Sequence, residues 1–245
     1  MFRTSSLIRY TYQGSVQHMD ASENERATAS GYDRWAASYD DKDPSTWLDE
    51  PFLLQHLLPF PGCRILDVGS GTGRYLRQLS PSPYYIVGID LSRNMLTRAK
   101  QHLGRRQDVF LVQASAASLP FVPCSFDRIM SGLLVDHVGS PEQFFREVSA
   151  LLVPDGRAVV AAVHPDMQRL TGCDIHIQCG GNEAIDIPGH LHEVEHLLTA
   201  AREARLNVVA VEEPRVTTPM LKHRPMWSNK IGRSALLLLA LTKSA

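Results

Sequence analysis

Apolar and polar positions alternate along most of the chain in a regular order. Apolar runs predict strands at 63–69, 84–90, 109–114, 126–133, 156–163, 207–216 and 234–243. Apolar residues that recur every three to four positions predict helices at 47–58, 73–80, 92–103, 141–152 and 191–206. Strands that alternate with helices form mainly parallel sheets covered on both faces. The pattern therefore predicts an α/β fold built on a seven-stranded, mainly parallel sheet.

The N-terminal part of the chain lacks this order. Residues 1–28 are polar and unpatterned, which predicts a poorly ordered segment, and Met19 offers an alternative start. The stretch 29–40 predicts a short amphipathic turn or helix, because its aromatic residues lie at roughly helical spacing. These residues are Tyr32, Trp35 and Tyr39. We therefore expect one domain over 29–245, with cap helices at 29–60.

Composition narrows the choice of partners. The chain has 25 basic and 26 acidic residues, so its formal net charge is −1. Without a basic excess, binding to nucleic acid or to an anionic membrane surface is not expected. The most apolar run, 235–242, is too short to span a bilayer and suits a strand buried on both faces. A small-molecule partner fits this composition better, and the oligomeric state stays open.

Cysteine usage and the N-terminal residues bear on the compartment. The four cysteines form no C-x-x-C pair and no dense framework, which favours a reducing interior. The first twenty residues contain no continuous apolar stretch, so a secretory signal is not expected. Arg3 and Arg9, with no acidic residue before Asp20, are weakly similar to a transit segment. A cytoplasmic location is favoured.

Three glycines follow the first strand of the predicted sheet. Gly69, Gly71 and Gly73 permit positive φ and let a ligand approach the backbone, and the next helix directs its N-terminal amides at that ligand. A dinucleotide-binding G-x-G-x-x-G needs a glycine where Arg74 stands. Asp67 disfavours a pyrophosphate and suits a ligand with an ammonium group. S-adenosylmethionine (SAM) carries such a group.

Five segments in order resemble a known family. They are LDVGSGTG, VGIDLS, QASAASLPF, SFDRIMSGLLVDHV and EVSALLVPDGRAVVAAV. With these segments, residues 30–243 resemble the class I SAM-dependent methyltransferases. The match is nearest to the methyltransferase type 11 (UbiE/BioC-like) group, which acts mostly on small molecules. The resemblance implies the Rossmann-like fold of that class and SAM as the cofactor.

The resemblance also assigns a cofactor site. Asp90, at the end of the second strand, would accept hydrogen bonds from both ribose hydroxyls, as a carboxylate can. Ser115 stands where the family usually has an aspartate for the adenine amino group, so its contact is weaker. Met95 equally suits the core, and Tyr39 equally suits the surface. The implied contacts are Asp67, Gly69, Gly71 and Ser131 for the amino-acid end, Leu91, Met95 and Ser115 for the adenine, Tyr39 for closure, and Ala116 as a further cofactor contact.

Two histidines are the candidate catalytic residues. His137 follows the fourth strand, and His164 ends the fifth strand directly before Pro165. Histidine titrates near neutral pH, which suits a general base if the accepting atom must lose a proton. A structural or cofactor-orienting role is the alternative for His137, and an ordinary loop position is the alternative for His164.

The segment 164–193 is expected to cover the substrate. It is glycine-rich and contains several histidines, namely His164, His176, His190 and His192. It also contains a C-x-x-H-x-x-C pattern at 173–179, and such ligands can hold zinc. In an extended strand, however, Cys173 and His176 face opposite ways. No metal is therefore expected.

Together these features predict methyl transfer from SAM to an oxygen or nitrogen atom of a small molecule, with carbon as a further option. The transfer is an in-line displacement in a partly enclosed site. Three alternatives stay open. They are a non-catalytic SAM-binding protein that acts by interaction, a protein-directed methyltransferase, and another reaction on the same scaffold, such as that of a nicotinamide oxidoreductase or an aminopropyl transferase.

Overall fold

The computed structural model describes residues 8–11, 21–42, 49–80, 83–178, 184–222 and 225–244. Within them, helices α1 to α8 span Ala21–Trp35, Tyr39–Lys42, Glu50–Leu57, Arg74–Leu79, Arg93–Leu103, Pro141–Leu151, Pro165–Thr171 and Val194–Glu203. Strands β1 to β10 span Ile8–Thr11, Arg64–Val68, Tyr85–Asp90, Val109–Gln113, Phe126–Gly132, Leu152–Val163, Asp174–Gln178, Ala184–Ile187, Leu206–Glu212 and Leu236–Lys243.

The main sheet of the described residues has seven strands in the order β4-β3-β2-β5-β6-β10-β9. Strands β2 to β6 are parallel, and β10 runs antiparallel between β6 and β9. The predicted seven-stranded, mainly parallel sheet is thus confirmed. The strand order reverses between β2 and β5. In such sheets, ligands bind beyond the carboxyl ends of the strands at this point.

Alternating side chains along the strands divide the core between the two faces of the sheet. Leu66 and Val68 of β2 pack in a cluster with α6 and α8, whereas Ile65 packs in a cluster with α3, α4 and α5. In β6, Val160 and Val159 divide between the same two clusters. A strand points successive side chains to opposite faces, and here the apolar neighbours Ile65 and Leu66 of β2 are both buried, one on each face. Helices therefore cover both faces, as predicted.

In the described part of the N-terminal region, residues 8–11 and 21–28 differ from the expectation that residues 1–28 are poorly ordered. Helix α1 begins at Ala21, and its side chains Asn24 and Thr28 are buried. The burial comes from contacts with α5 and β8, which are distant in sequence. Strand β1 pairs with β7, and β7 pairs with β8, to form a second, three-stranded antiparallel sheet. A polar stretch is thus ordered by tertiary contacts that its own pattern does not reveal.

The segment 164–193 contains α7, β7 and β8 in its described part. The apolar run at 235–242 lies almost wholly in β10, where the side chains of Leu236–Leu241 are buried. Among the helices of the described ranges, none combines the length and the apolar character needed to cross a membrane.

Candidate functional site

A cavity of about 410 Å³ lies at the carboxyl ends of β2, β3, β4 and β5, with α1 on its other side. This volume is in the range of small-molecule sites. Many of the residues that the sequence assigns to the site form its wall. They are Tyr39, Gly69, Gly71, Asp90, Leu91, Met95, Ser115, Ala116 and His137. The fold thus brings residues from four strand ends and the N-terminal helices to one place.

Hydrogen bonds tie the glycine loop to Asp90. Gly71 has a φ of 53°, and a Cβ added there would meet nothing within 4 Å, so a ligand can approach its backbone. Its N–H donates to Asp90 Oδ2 at 2.8 Å, and the Ser92 N–H donates to Oδ1 at 2.8 Å. The carboxylate is therefore held in one orientation. Each oxygen keeps further lone-pair capacity for hydroxyl groups of a ligand.

Burial dominates the acidity of Asp90. It raises the pKa of this carboxyl to about 6, although the backbone bonds from Ser92 and Gly71 favour the ionised form. At neutral pH the ionised form therefore predominates. That form is the stronger hydrogen-bond acceptor.

Asp67 and Ser131 differ from their predicted place on the cavity wall. Both side chains are fully buried at the ends of the neighbouring strands β2 and β5, and neither lines the cavity. Their side-chain oxygens have no hydrogen-bond partner among the described residues. Burial raises the pKa of Asp67 to about 8, with Arg74 opposing the rise and Asp90 adding to it. A ligand group that donates hydrogen bonds nearby would relieve this cost.

Carboxylates on α1 and α2 hold these helices against three loops of the cavity. The loops follow β2, β3 and β4 in turn. In each case a loop hydroxyl donates to a helix carboxylate: Thr72 to Asp40 at 2.7 Å, Ser92 to Asp33 at 2.5 Å, and Ser115 to Glu25 at 2.5 Å. The Asn94 N–H also donates to Asp33 Oδ1, at 2.9 Å. The N-terminal helices are therefore joined to most of the cavity rim.

Sequence reasoning missed Glu25 and the neighbouring residues of α1 that line the cavity. Asn24, Thr28 and Tyr32 also contribute to its wall. Their spacing of four residues, continued by Trp35 three residues later, is helical and was the available signal. Glu25 brings a carboxylate to Ser115, the position where the family usually has an aspartate. A carboxylate is thus present beside this position, although it comes from α1 and not from the loop after β4.

His137 lies on the cavity wall in a short 3₁₀-helix, Val135–His137. Its Nδ1 is 2.8 Å from the carbonyl oxygen of Pro188, which can only accept, so Nδ1 carries the proton of the neutral ring. Nε2 is then the acceptor for the hydroxyl of Tyr32, at 2.7 Å. Burial lowers the pKa of His137, which favours this neutral form. His137 therefore faces the cavity together with Tyr32 rather than alone.

His164 departs from its prediction as a base that faces the substrate. It is buried, does not line this cavity, and occupies the N-cap of α7. Its Nδ1 accepts the Asp166 N–H at 3.1 Å, while Nε2 is 3.7 Å from Glu213 Oε2. The ring is turned back toward the first turn of the helix, because the early N–H groups of a helix need acceptors. Its position supports a capping role.

The predicted covering segment reaches the cavity through His190, which lines the wall. Its Nε2 lies 3.0 Å from Asn24 Nδ2 of α1. The backbone N–H of His190 donates to the carbonyl oxygen of Asp136 at 2.6 Å. The segment and α1 therefore meet over the same side of the cavity.

The described part of the chain contains no group of three histidine, cysteine, aspartate or glutamate residues placed to hold a metal. His176 lies in β7, where its Nδ1 pairs with Asp186 of β8. Cys173 lies just before that strand and is free, and Cys179 lies outside the described residues.

The central part of the chain is similar to a known protein family. Residues 66–160 match a family described as methyltransferase domain. Malonyl-[acyl-carrier protein] O-methyltransferase of Erwinia pyrifoliae is 29% identical over 140 residues, which cover 57% of this chain and 52% of that protein. Demethylmenaquinone methyltransferase of Renibacterium salmoninarum is 33% identical over 106 residues, 43% of this chain and 44% of that protein. The chain thus spans about half the length of these curated relatives.

The fold is also found among solved structures. The crystal structure of an S-adenosylmethionine dependent methyltransferase from Mesorhizobium loti is similar, with a TM-score of 0.66 at 24% identity. The similarity covers 80% of this chain and 97% of that one. It shows that the sheet and its helices form the class I, Rossmann-like methyltransferase fold, as the sequence resemblance implied.

Proposed function

We propose that the protein, whose residues 66–160 match a methyltransferase domain, transfers the methyl group of SAM to an oxygen or nitrogen atom of a small molecule. One observation carries the proposal. Asp90 is fixed by the backbone of the glycine loop on the wall of a cavity of about 410 Å³. An oriented, half-buried carboxylate of this kind is suited to a ribose, whose neighbouring hydroxyls both donate hydrogen bonds.

The remaining wall suits the other parts of SAM. Leu91 and Met95 offer apolar surface to an adenine ring, and Glu25 with Ser115 offers acceptors for its amino group. The unpartnered oxygens of Asp67 and Ser131 do not line the cavity but lie at the ends of the central strands β2 and β5, next to the residues that do. We assign the ammonium end of the cofactor to this region, because it would relieve a buried carboxyl that lacks a partner.

SAM, when bound, supplies a methyl group on a positively charged sulfur. Transfer forms a bond between the methyl carbon and the accepting atom, while the carbon–sulfur electron pair stays on sulfur. The accepting O–H or N–H must then lose its proton. The protein's part is to hold the accepting atom in line and to exclude water. We assign the covering role to α1 and to the segment 164–193.

For the proton, we assign the pair formed by His137 and Tyr32. The neutral imidazole presents its Nε2 lone pair to the Tyr32 hydroxyl, at 2.7 Å. A proton taken up at the tyrosine oxygen can therefore pass to His137 in one step. Because burial lowers the pKa of His137, the pair acts as an acceptor that starts neutral near pH 7.

The chemistry of the chain also favours a small acceptor within a reducing compartment such as the cytoplasm. Cys63, Cys124 and Cys173 are free thiols in the described residues. The formal charge of −1 does not suit a nucleic-acid backbone. The two curated relatives are named for malonyl-[acyl-carrier protein] and for demethylmenaquinone, so acceptors carried on a protein belong in the test.

The test measures SAM binding first and transfer second. Calorimetry should show SAM binding to the wild type and its loss in Asp90→Ala. Asp127→Ala is the matched control, because Asp127 is a carboxylate of the same sheet that pairs with Arg64 near the start of β5, away from the glycine loop. Equal SAM affinity in Asp90→Ala and the wild type would contradict the assigned site.

Transfer is then followed with SAM that carries a labelled methyl group, incubated with the protein and a cell extract split into small-molecule and macromolecule fractions. We expect label in the small-molecule fraction. Label only in macromolecules would replace the small acceptor by a protein-directed reaction. SAM binding without transfer in any fraction would favour a non-catalytic SAM-binding protein.

A further inference from the structure

A second, smaller cavity adjoins the first. It measures about 70 Å³, and we call it the side chamber. The two cavities share four wall residues, namely Tyr32, Tyr39, Leu133 and His137. The rest of the side chamber is formed by α7, by the start of β7 with the residues before it, by the ends of β6 and β10 that meet there, and by Trp35, Asp136 and Trp227. The pair of Tyr32 and His137 thus stands at the junction of the two cavities.

The walls of the side chamber are mainly apolar and aromatic. Trp35, Met167, Trp227 and Leu236 line it and are buried. No lysine or arginine of the described ranges lines it. Without a cation, the chamber has no counter-charge for a carboxylate or a phosphate. Its small volume restricts an occupant to a group about the size of one ring or a short alkyl chain.

Gln168 gives the side chamber an oriented polar atom. Its Nε2 lies between two acceptors, Asp136 Oδ1 at 3.1 Å and the carbonyl oxygen of His190 at 3.4 Å. This arrangement fixes the amide, because a flipped carbonyl would face two acceptors. Oε1 is then directed elsewhere, and it is buried with no partner among the described residues. An occupant that donates one hydrogen bond would satisfy it.

Asp136 does not serve as a counter-charge for a cation. Its Oδ2 accepts the Val163 N–H at 3.0 Å, and its Oδ1 accepts from Gln168. Burial raises the pKa of Asp136 to about 7, despite both bonds. A region that disfavours the charge of its own carboxyl also disfavours the charge of a buried ammonium.

We propose that the side chamber is the acceptor subsite and binds an uncharged ring with a neutral polar substituent that donates to Gln168 Oε1. The accepting oxygen or nitrogen then lies at the junction, beside Tyr32 and His137. This inference rests on the proposed function, because that function places the methyl donor in the larger cavity. It adds the substrate class: a compact, neutral aromatic or alicyclic molecule.

The first experiment compares ligands of one size and different charge on the wild-type protein. Benzyl alcohol, benzoate and benzylamine are titrated by calorimetry with S-adenosylhomocysteine present, so that the larger cavity is filled. We expect benzyl alcohol to bind at least tenfold more tightly than either charged analogue. Equal or tighter binding of benzoate or benzylamine would overturn the proposal.

The second experiment locates the binding. Ala235 lines the side chamber, so Ala235→Leu should abolish benzyl alcohol binding by filling the space. Gln168→Met should weaken it about tenfold. Leu170→Met is the matched control, because Leu170 lies on α7 with 53% of its surface exposed. Affinity for S-adenosylhomocysteine should stay within twofold in all three variants.

The outcomes separate the two proposals. Undiminished benzyl alcohol binding in a folded Ala235→Leu protein would overturn the subsite. Failure of the wild type to bind S-adenosylhomocysteine would overturn the proposed function, while loss of benzyl alcohol binding in Ala235→Leu would still support a neutral-ring site. If Ala235→Leu does not fold, the charge series on the wild type and Gln168→Met decide the question.

Discussion

Asp67 shows how one buried side chain couples protonation to stability. Its carboxyl is fully buried, and both oxygens lack a partner among the described residues. Burial raises its pKa from the ordinary value of 3.8 to about 8. The folded protein therefore holds a proton on Asp67 over a pH range in which the unfolded chain has released it.

This difference predicts a pH-dependent stability. Because the folded state binds more protons between pH 4 and pH 8, the free energy of unfolding falls as pH rises through this range. Asp67→Asn removes the titration, so we expect the variant to become progressively more stable than the wild type from pH 5 to pH 8. A difference of one between the two pKa values corresponds to about 1.4 kcal/mol. Urea unfolding at several pH values measures the effect.

Asp90 also has a raised pKa and contributes to the pH dependence of both proteins, so only the difference between the two stability curves is assigned to Asp67. Parallel stability curves for the wild type and Asp67→Asn would contradict the prediction. They would mean that Asp67 is ionised in the folded state and is balanced by the charge of Arg74.

At the scale of elements, α1 forms part of the wall of the larger cavity. Asp33 accepts hydrogen bonds from the Ser92 hydroxyl and the Asn94 N–H, at the N-terminus of α5. A carboxylate is favourable there because of the helix dipole. Trp35 packs at the end of α1 against Tyr39 with ring centroids 4.6 Å apart. Polar and aromatic contacts together hold the helix in place.

We therefore predict that Asp33→Ala loosens α1 and weakens SAM binding about tenfold, because hydrogen bonds to a charged group contribute about 1.5–3 kcal/mol. Calorimetry measures the affinity, and hydrogen exchange over 21–35 measures the closure. Ser30→Ala, an exposed position of the same helix, is the control. Unchanged exchange and affinity in Asp33→Ala would show that aromatic packing alone holds α1.

At the scale of the whole molecule, the two largest apolar clusters of the described residues lie on the two faces of the main sheet. Strand β10 runs between β6 and β9, and Leu239 packs from it into the cluster with α6 and α8 at 1% exposure. We predict that Leu239→Ala lowers the free energy of unfolding by about 2–5 kcal/mol, because it removes buried contacts and leaves a cavity. Val209→Ala, on the edge strand β9 with 49% exposure, should cost under about 1 kcal/mol.

Urea unfolding of both variants provides the measurement. Similar losses at Leu239 and Val209 would contradict the assignment of Leu239 to the buried core and of Val209 to the exposed edge. SAM affinity of Leu239→Ala is measured without denaturant, where the variant is folded. A loss of affinity there would show that the change in the core also alters the cavity.

The sequence alone determined the main sheet, the helices on its two faces and the glycine loop with Asp90. These features depend on local order: apolar runs, helical spacing, and glycines directly after a strand. Because parallel strands end at one edge of the sheet, local order was also enough to bring Gly71, Asp90, Ser115 and His137 to a common cavity.

Only the tertiary structure decided which of the other residues reach that cavity. Side-chain direction and packing between distant elements place His164 at a helix cap, outside the cavity. They also bury Asp67 without a hydrogen-bond partner among the described residues. Glu25, in contrast, reaches the cavity from a stretch that looks unstructured in the sequence. The side chamber likewise joins α1, α7 and β10, which lie far apart in the chain. The physical reason is that strands and helices impose a regular spacing of apolar residues along the sequence. Burial and hydrogen bonding between distant segments impose no such spacing.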